Sequence, residues 1–171
     1  MKKLKPLMII LVIISIGACS PQGEKCPEVD FEKELSDIRM ILDQYELARE
    51  SEDFATVEHL WAPDADIVLF GTESDEQLIG IESIRNSMEK QFDEFENTLI
   101  NISDQKIGIN RAGNTAWFSE ILNYNFIYLG EDMSFEGIRF TGVLEKRDGR
   151  WQLVQGHLSV PYEAGIEQEM R

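Results

Sequence analysis

Basic residues, histidine and cysteine are scarce in this chain. Its 171 residues hold 16 Lys and Arg against 32 Asp and Glu, a formal net charge of −16. A surface of that sign repels phosphate backbones and anionic head groups, and no basic stripe offsets it, which argues against a nucleic-acid partner. The two histidines, His59 and His157, stand far apart, there are no paired cysteines, and no acid-rich loop has calcium-site spacing, so no metal centre is expected. Glycine-rich phosphate loops and dinucleotide fingerprints are also missing, and no cofactor is expected. Ser119 and Ser159 lack the Gly-x-Ser-x-Gly turn that exposes a nucleophile.

The apolar run from Leu7 to Ile14 is too short to span a bilayer as a permanent helix. Preceded by Lys2, Lys3 and Lys5 and followed by small residues, it completes the three parts of an export signal. Ile16-Gly17-Ala18-Cys19 resembles a bacterial lipobox, in which cleavage before the cysteine follows attachment of a diacylglycerol to its sulfur. Residues 1–18 are therefore expected to be a lipoprotein signal peptide. Lipid on Cys19 is expected to anchor the chain in the cell envelope, facing periplasm or exterior. Each buried methylene contributes about 0.8 kcal/mol, so two or three acyl chains hold where one does not. Cleavage removes three lysines and no acid, taking the charge from −16 to −19, so attachment must come from lipid rather than charge. With Cys19 lipidated, Cys26 has no intrachain partner and the fold must stand on its hydrophobic core. Residues 19–30, with two prolines, a glycine and charges, read as a tether.

The body is expected over 31–162, with a tail at 163–171. Phe31, Leu35, Ile38, Leu42 and Tyr45 recur at helical spacing behind Asp30, which predicts an amphipathic helix over about 31–50 with its acidic remainder in water. Phe54, Val57, Leu60 and Trp61 repeat the pattern in a shorter helix behind Ser51 or Asp53, ended by Pro63. Ile67 to Phe70 reads as a short strand, and Leu78-Ile79-Gly80 as the end of a polar loop. Ile81, Ile84, Met88, Phe92 and Phe95 mark a third helix. From Thr98 the period becomes two, predicting strands over 98–109, 114–129, 135–147 and 150–160, with Asp148-Gly149 as a hairpin turn. Helices followed by strands is the order of an α+β domain with helices on one face of an antiparallel sheet.

The segment from Arg139 through Thr141, Asp148-Gly149, Trp151, His157 and Ser159 to Pro161 resembles the C-terminal hairpin of SnoaL-like proteins of the nuclear transport factor 2-like superfamily. It is also similar to the association domain of calmodulin-dependent kinases. Leu60-Trp61 with Asp64, Asp66, Phe70-Gly71 and Gly80 resembles the family's passage from second helix to first strand, and Ala116-Trp117-Phe118-Ser119 its central strand. The likeness covers about residues 31–162. It implies a ketosteroid-isomerase-like cone, an α+β barrel in which a curved antiparallel sheet and three helices on its concave side enclose a pocket, often in a homodimer. The same cone houses isomerases, cyclases, dehydratases, transport adaptors and assembly hubs, so the fold cannot select a reaction.

Period two sets Arg139 and Thr141 on one face of their strand, and Trp151, His157 and Ser159 on one face of the next. If both faces point inward, the expected ligand pocket has Trp61, Phe70, Trp117, Tyr124 and Trp151 as apolar wall and Arg139, Thr141, His157 and Ser159 as polar end. Arg139 offers a fork of donors to a carboxylate, and His157 moves a proton near neutral pH. Equally, Trp151 is core, Thr141 and Ser159 satisfy one another, and Arg139 pairs with Glu120 or Glu136. Asp66 is the second acid/base candidate, given an apolar cleft that raises its pKa, with Asp64 competing for the role. His59 is expected in solvent. Three functions compete: a non-catalytic domain binding a small apolar or anionic ligand, an enzyme of isomerase, dehydratase or hydrolase type using His157 or Asp66, and a dimerising assembly module.

Overall fold

The computed structural model describes residues 29–73 and 75–161. The expected signal peptide, Cys19, all but the last two residues of the tether, and the tail 163–171 lie outside the described residues. Among the described residues no helix is long and apolar enough to cross a membrane.

Asp30 caps the first helix, its side chain accepting from the Lys33 backbone N–H at 3.1 Å, and α1 runs Phe31–Glu50. Ile38, Leu42 and Tyr45 are wholly buried on its inner stripe. The stripe is less apolar than the spacing predicts. Glu34, Glu46 and Arg49 are buried with it, while Phe31 at the first turn is exposed. Asp53 caps α2 (Phe54–Leu60) through the Thr56 N–H, and extended Trp61 ends it. α3 spans Ile81–Glu94.

From α3 the chain passes directly into β3 (Phe95–Ile109), followed by β4 (Thr115–Tyr128), β5 (Glu131–Arg147) and β6 (Arg150–Ser159), each antiparallel to the next. β3 and β5 begin earlier than their alternation predicts. Register shifts at Glu96/Leu99 in the first case and opposite Leu122/Tyr124 in the second break the period while pairing continues past them. β1 (Val68–Phe70) lies parallel to β6, and β2 (Gln77–Ile79), part of the segment expected as loop, closes antiparallel on β1. The result is a six-stranded curved sheet in the order β2-β1-β6-β5-β4-β3 that does not close on itself.

Aromatic rings pack against one another between sheet and helices. Tyr45 stacks on Phe140 with centroids 5.7 Å apart, Phe118 meets Phe140 edge-on at 4.9 Å, and Tyr45 meets Trp61 at 6.3 Å. Two glycines facing each other across β5 and β6 make the room. A Cβ on Gly142 would lie 2.6 Å from the Phe118 ring, and one on Gly156 would lie 3.3 Å from the Trp61 ring. Fully burying a large apolar side chain stabilises by roughly 1.5–3 kcal/mol, so this group forms the stability centre of a fold with no disulfide among the described residues.

Candidate functional site

The expected pocket divides between the two faces of the sheet. β5 and β6 pair Leu144 with Leu153 but Val143 with Gln155, so Val154 is an extra residue and the inward parity of β6 reverses there. Trp151 and Leu153 point inward before it, and Gly156 and Leu158 after it. Arg139, Thr141 and His157 are therefore brought together, Thr141 directly opposite His157, but on the outer, exposed face instead of inside the cone. Ser159, opposite Arg139, is half-buried. Phe70 packs edge-on against the His157 ring at 5.7 Å, and Trp117 lies flat over Gly108, both on that outer face. Glu120 is on the inner face and does not partner Arg139.

Of the expected wall, Trp61, Tyr124 and Trp151 are inside. Trp151 donates its indole N–H to Glu34 at 2.7 Å, and Lys146 donates to the other oxygen at 2.5 Å. Burial alone would raise the Glu34 pKa, but these two bonds outweigh it and hold the carboxyl below its ordinary range. Asp66 is exposed in the turn before β1, outside any apolar cleft. Asp64 is tied to Arg147, which also holds Glu145 at 2.9 Å. His59 is exposed beside Arg150.

The chemistry inside the cone belongs to other residues. Glu46 and Arg49, one helical turn apart on α1, form an ion pair at 2.8 Å with both side chains at least nine-tenths buried. Arg49 also stands over the rings of Tyr45 and Tyr124, at 5.6 and 5.2 Å. Glu120 on β4 is 1% exposed and accepts a bond from Gln105 at 2.9 Å. Two buried carboxylate oxygens in this region, Glu46 Oε1 and Glu120 Oε1, have no hydrogen-bond partner, and Tyr45 Oη and Trp61 Nε1 have none but each other. A buried polar atom left unpaired costs about 1–3 kcal/mol, and a bound partner that pairs it recovers that cost.

Burial is the main cause of a Glu120 pKa lifted to about 7, opposed by the Gln105 bond and increased by the charges of Glu46 and Asp43. Burial likewise raises Glu46, with Arg49 acting against it. For Arg49 burial works against the charge, but Glu46 outweighs it and holds the guanidinium protonated. Near neutral pH the group therefore sets two carboxyls, one of them poised to exchange its proton, beside one permanent cation.

A ladder of rings joins this group to solvent. Tyr124 meets Phe126 at 5.4 Å, Phe126 stacks on Phe135 at 6.0 Å and on Phe95 at 4.0 Å, and Phe135 is 41% exposed where β3 to β5 run past the helices. Two surface depressions of about 330 Å³ lie elsewhere, one along the outer side of α1 and one beside Asn125 and Met133, and neither reaches Glu120. Among the described residues no group of His, Cys, Asp and Glu is placed to hold a metal ion.

Glu46, Arg49 and Glu120 carry sequence signals of their own. Arg49 follows Tyr45 by one helical turn, and Glu120 stands in register with Phe118, Leu122, Tyr124 and Phe126 in an unbroken period of two.

Solved structures share this architecture. A nuclear transport factor 2-like superfamily protein from Salmonella enterica serovar Typhimurium aligns at a TM-score of 0.71 and 14% identity, over 82% of this chain and 99% of its own. A candidate dehydratase of the same superfamily from Streptomyces avermitilis aligns at 0.69 and 17%, over 77% and 99%. A candidate calcium/calmodulin-dependent protein kinase II association domain from Xanthomonas campestris aligns at 0.64 and 24%, over 74% and 86%. At these identities the likeness is one of fold. No curated protein matches the chain in sequence. The profile of the SnoaL-like domain matches residues 38–163, from the inner stripe of α1 to just beyond the last strand, and the chain belongs to the SnoaL-like domain family.

Proposed function

We propose that this SnoaL-like domain binds a small, largely apolar molecule inside its cone, with the polar end of that molecule meeting Glu120, Glu46 and Arg49. The observation that carries the reading is the pair of unpartnered buried oxygens, Glu120 Oε1 and Glu46 Oε1, beside one ion pair at the inner end of an aromatic ladder. A ligand that pairs those atoms removes their cost, and the rings supply its apolar surround. The polar end, assigned in the sequence to Arg139 and His157, thus moves to the inner face of α1 and β4. A carboxyl titrating near neutrality also suits proton transfer, so any catalytic role belongs to Glu120 in preference to His157 or Asp66.

The lipobox supports export and anchoring through Cys19 as part of the same reading. Binding is tested by thermal unfolding against a panel of aromatic and alicyclic compounds carrying varied polar heads. A ligand that binds only the folded state adds RT ln(1 + [L]/Kd), about 2.7 kcal/mol at a hundredfold excess. A panel in which no compound raises the melting temperature would overturn the proposal.

A second reading, compatible with the first, is homodimerisation through the outer sheet face. Trp117 and Phe70 are 54% and 40% exposed there, with Val68, Ile121 and Val143 half-buried on the same face among Arg139, Thr141, Gln155 and His157. Exposed aromatic rings on a sheet face of mixed polarity fit a second copy of the same face across a two-fold axis.

A further inference from the structure

We infer that the molecule held in the cone is an organic amine, bound as its ammonium between Glu120 and Glu46. This inference rests on the cone being a ligand site and concerns what the site selects.

Charge is the first argument. With both carboxyls ionised, the buried Glu46 and Glu120 face a single guanidinium, Arg49, and Asp43 and Glu50 act on them with the same sign, leaving a surplus of negative charge. A carboxylate ligand would add a further negative charge beside that one cation. An ammonium cancels the surplus, and Coulomb interactions are large where the effective dielectric is low.

Hydrogen bonding points the same way. The unpartnered carboxyl oxygens, Glu46 Oε1 and Glu120 Oε1, are acceptors, and Arg49 already donates to the other Glu46 oxygen at 2.8 Å. Two free acceptors ask for a ligand that brings N–H donors, and an ammonium brings three. Tyr45 and Tyr124 add π-faces that already attract the guanidinium within 5.6 and 5.2 Å, and ring faces favour any cation placed near them.

Matched probes test this. Phenethylamine and tryptamine are compared with 3-phenylpropionate and indole-3-propionate by thermal unfolding and calorimetric titration at pH 8, on the wild-type chain and on Glu120→Gln. Gln keeps the shape and the bond from Gln105 but not the charge, so the variant stays folded. The expected result is stabilisation by the amines and none by the acids, with amine affinity about tenfold to a hundredfold lower on Glu120→Gln, the usual effect of losing a charge-assisted bond. Stabilisation by the acids alone would overturn the inference and leave ligand binding in the cone standing. Amine binding undiminished on Glu120→Gln would overturn it as well. No effect from any probe, when compounds of the wider panel do stabilise, refutes the amine assignment, and silence from the whole panel refutes the cone as a ligand site.

Discussion

Replacing Glu120 by Gln should make the protein more stable, and by an amount that depends on pH. The carboxyl titrates near 4.5 in the unfolded chain and is lifted to about 7 in the fold, chiefly by burial. Below pH 4.5 both states hold the proton and the carboxyl imposes no penalty. Between 4.5 and 7 the unfolded state releases its proton while the folded state keeps it, so stability falls as pH rises, and above about 7 the loss is complete. At 1.36 kcal/mol per pH unit the full penalty is about 3 kcal/mol. The groups facing Glu120 are Asp43, Glu46 and Arg49 from α1 and Gln105 from β3, and all are unchanged in the variant. Gln, neutral at every pH, should therefore match the wild type at pH 4 and exceed it by about 3 kcal/mol at pH 8, roughly 10 °C in melting temperature for a domain of this size. Circular dichroism melts of both proteins from pH 4 to 8.5 measure the gap, and the difference cancels every other carboxylate in the chain. A gap that is flat with pH, or a variant less stable at pH 8, would refute the assignment of Glu120 as a buried acid.

Four further outcomes are expected. Arg49→Ala strands the Glu46 charge and should cost about 3–5 kcal/mol in urea unfolding, whereas Glu46→Gln combined with Arg49→Met should cost far less, because no charge is left unpaired. Glu34→Ala orphans the Trp151 indole and should lose about 1–3 kcal/mol, while Glu34→Gln, which still accepts that bond, should lose less; equal losses would show the bond to be idle. Trp117→Glu should convert a micromolar dimer to monomer in sedimentation without unfolding it, and a wild type already monomeric at that concentration ends the second reading. Cys19→Ser should release the protein from membranes on fractionation, and continued retention would count against lipid anchoring.

The first two helices were readable because each carries its start signal beside its apolar period, whereas α3 follows Gly80 with no side-chain cap and ends one residue before Phe95, which its period had included. Asp30 and Asp53 accept the capping bonds their positions predict, and α1 ends where its pattern does. The hairpin turn at Asp148-Gly149 was equally plain, since both residues adopt positive φ there. Strand faces were less secure. One additional residue at Val154 reverses parity, so the alternation that correctly relates Trp151 to Leu153 misplaces Gln155, His157 and Ser159. Nothing in the identity of Val154 announces a bulge, because the shift is settled by which inward set packs better against Trp61, Phe118 and Phe140.

By itself the sequence determined the α+β order, the capped first two helices, the acidic balance of charge and the family, because each rests on local spacing or composition. Only the tertiary structure decided that Arg139, Thr141 and His157 share the outer face and that Glu46, Arg49 and Glu120 meet inside. Whether a carboxyl is solvated or buried depends on what α1 and β4 bring against it from distant parts of the chain, and that is a property of packing that no single segment contains.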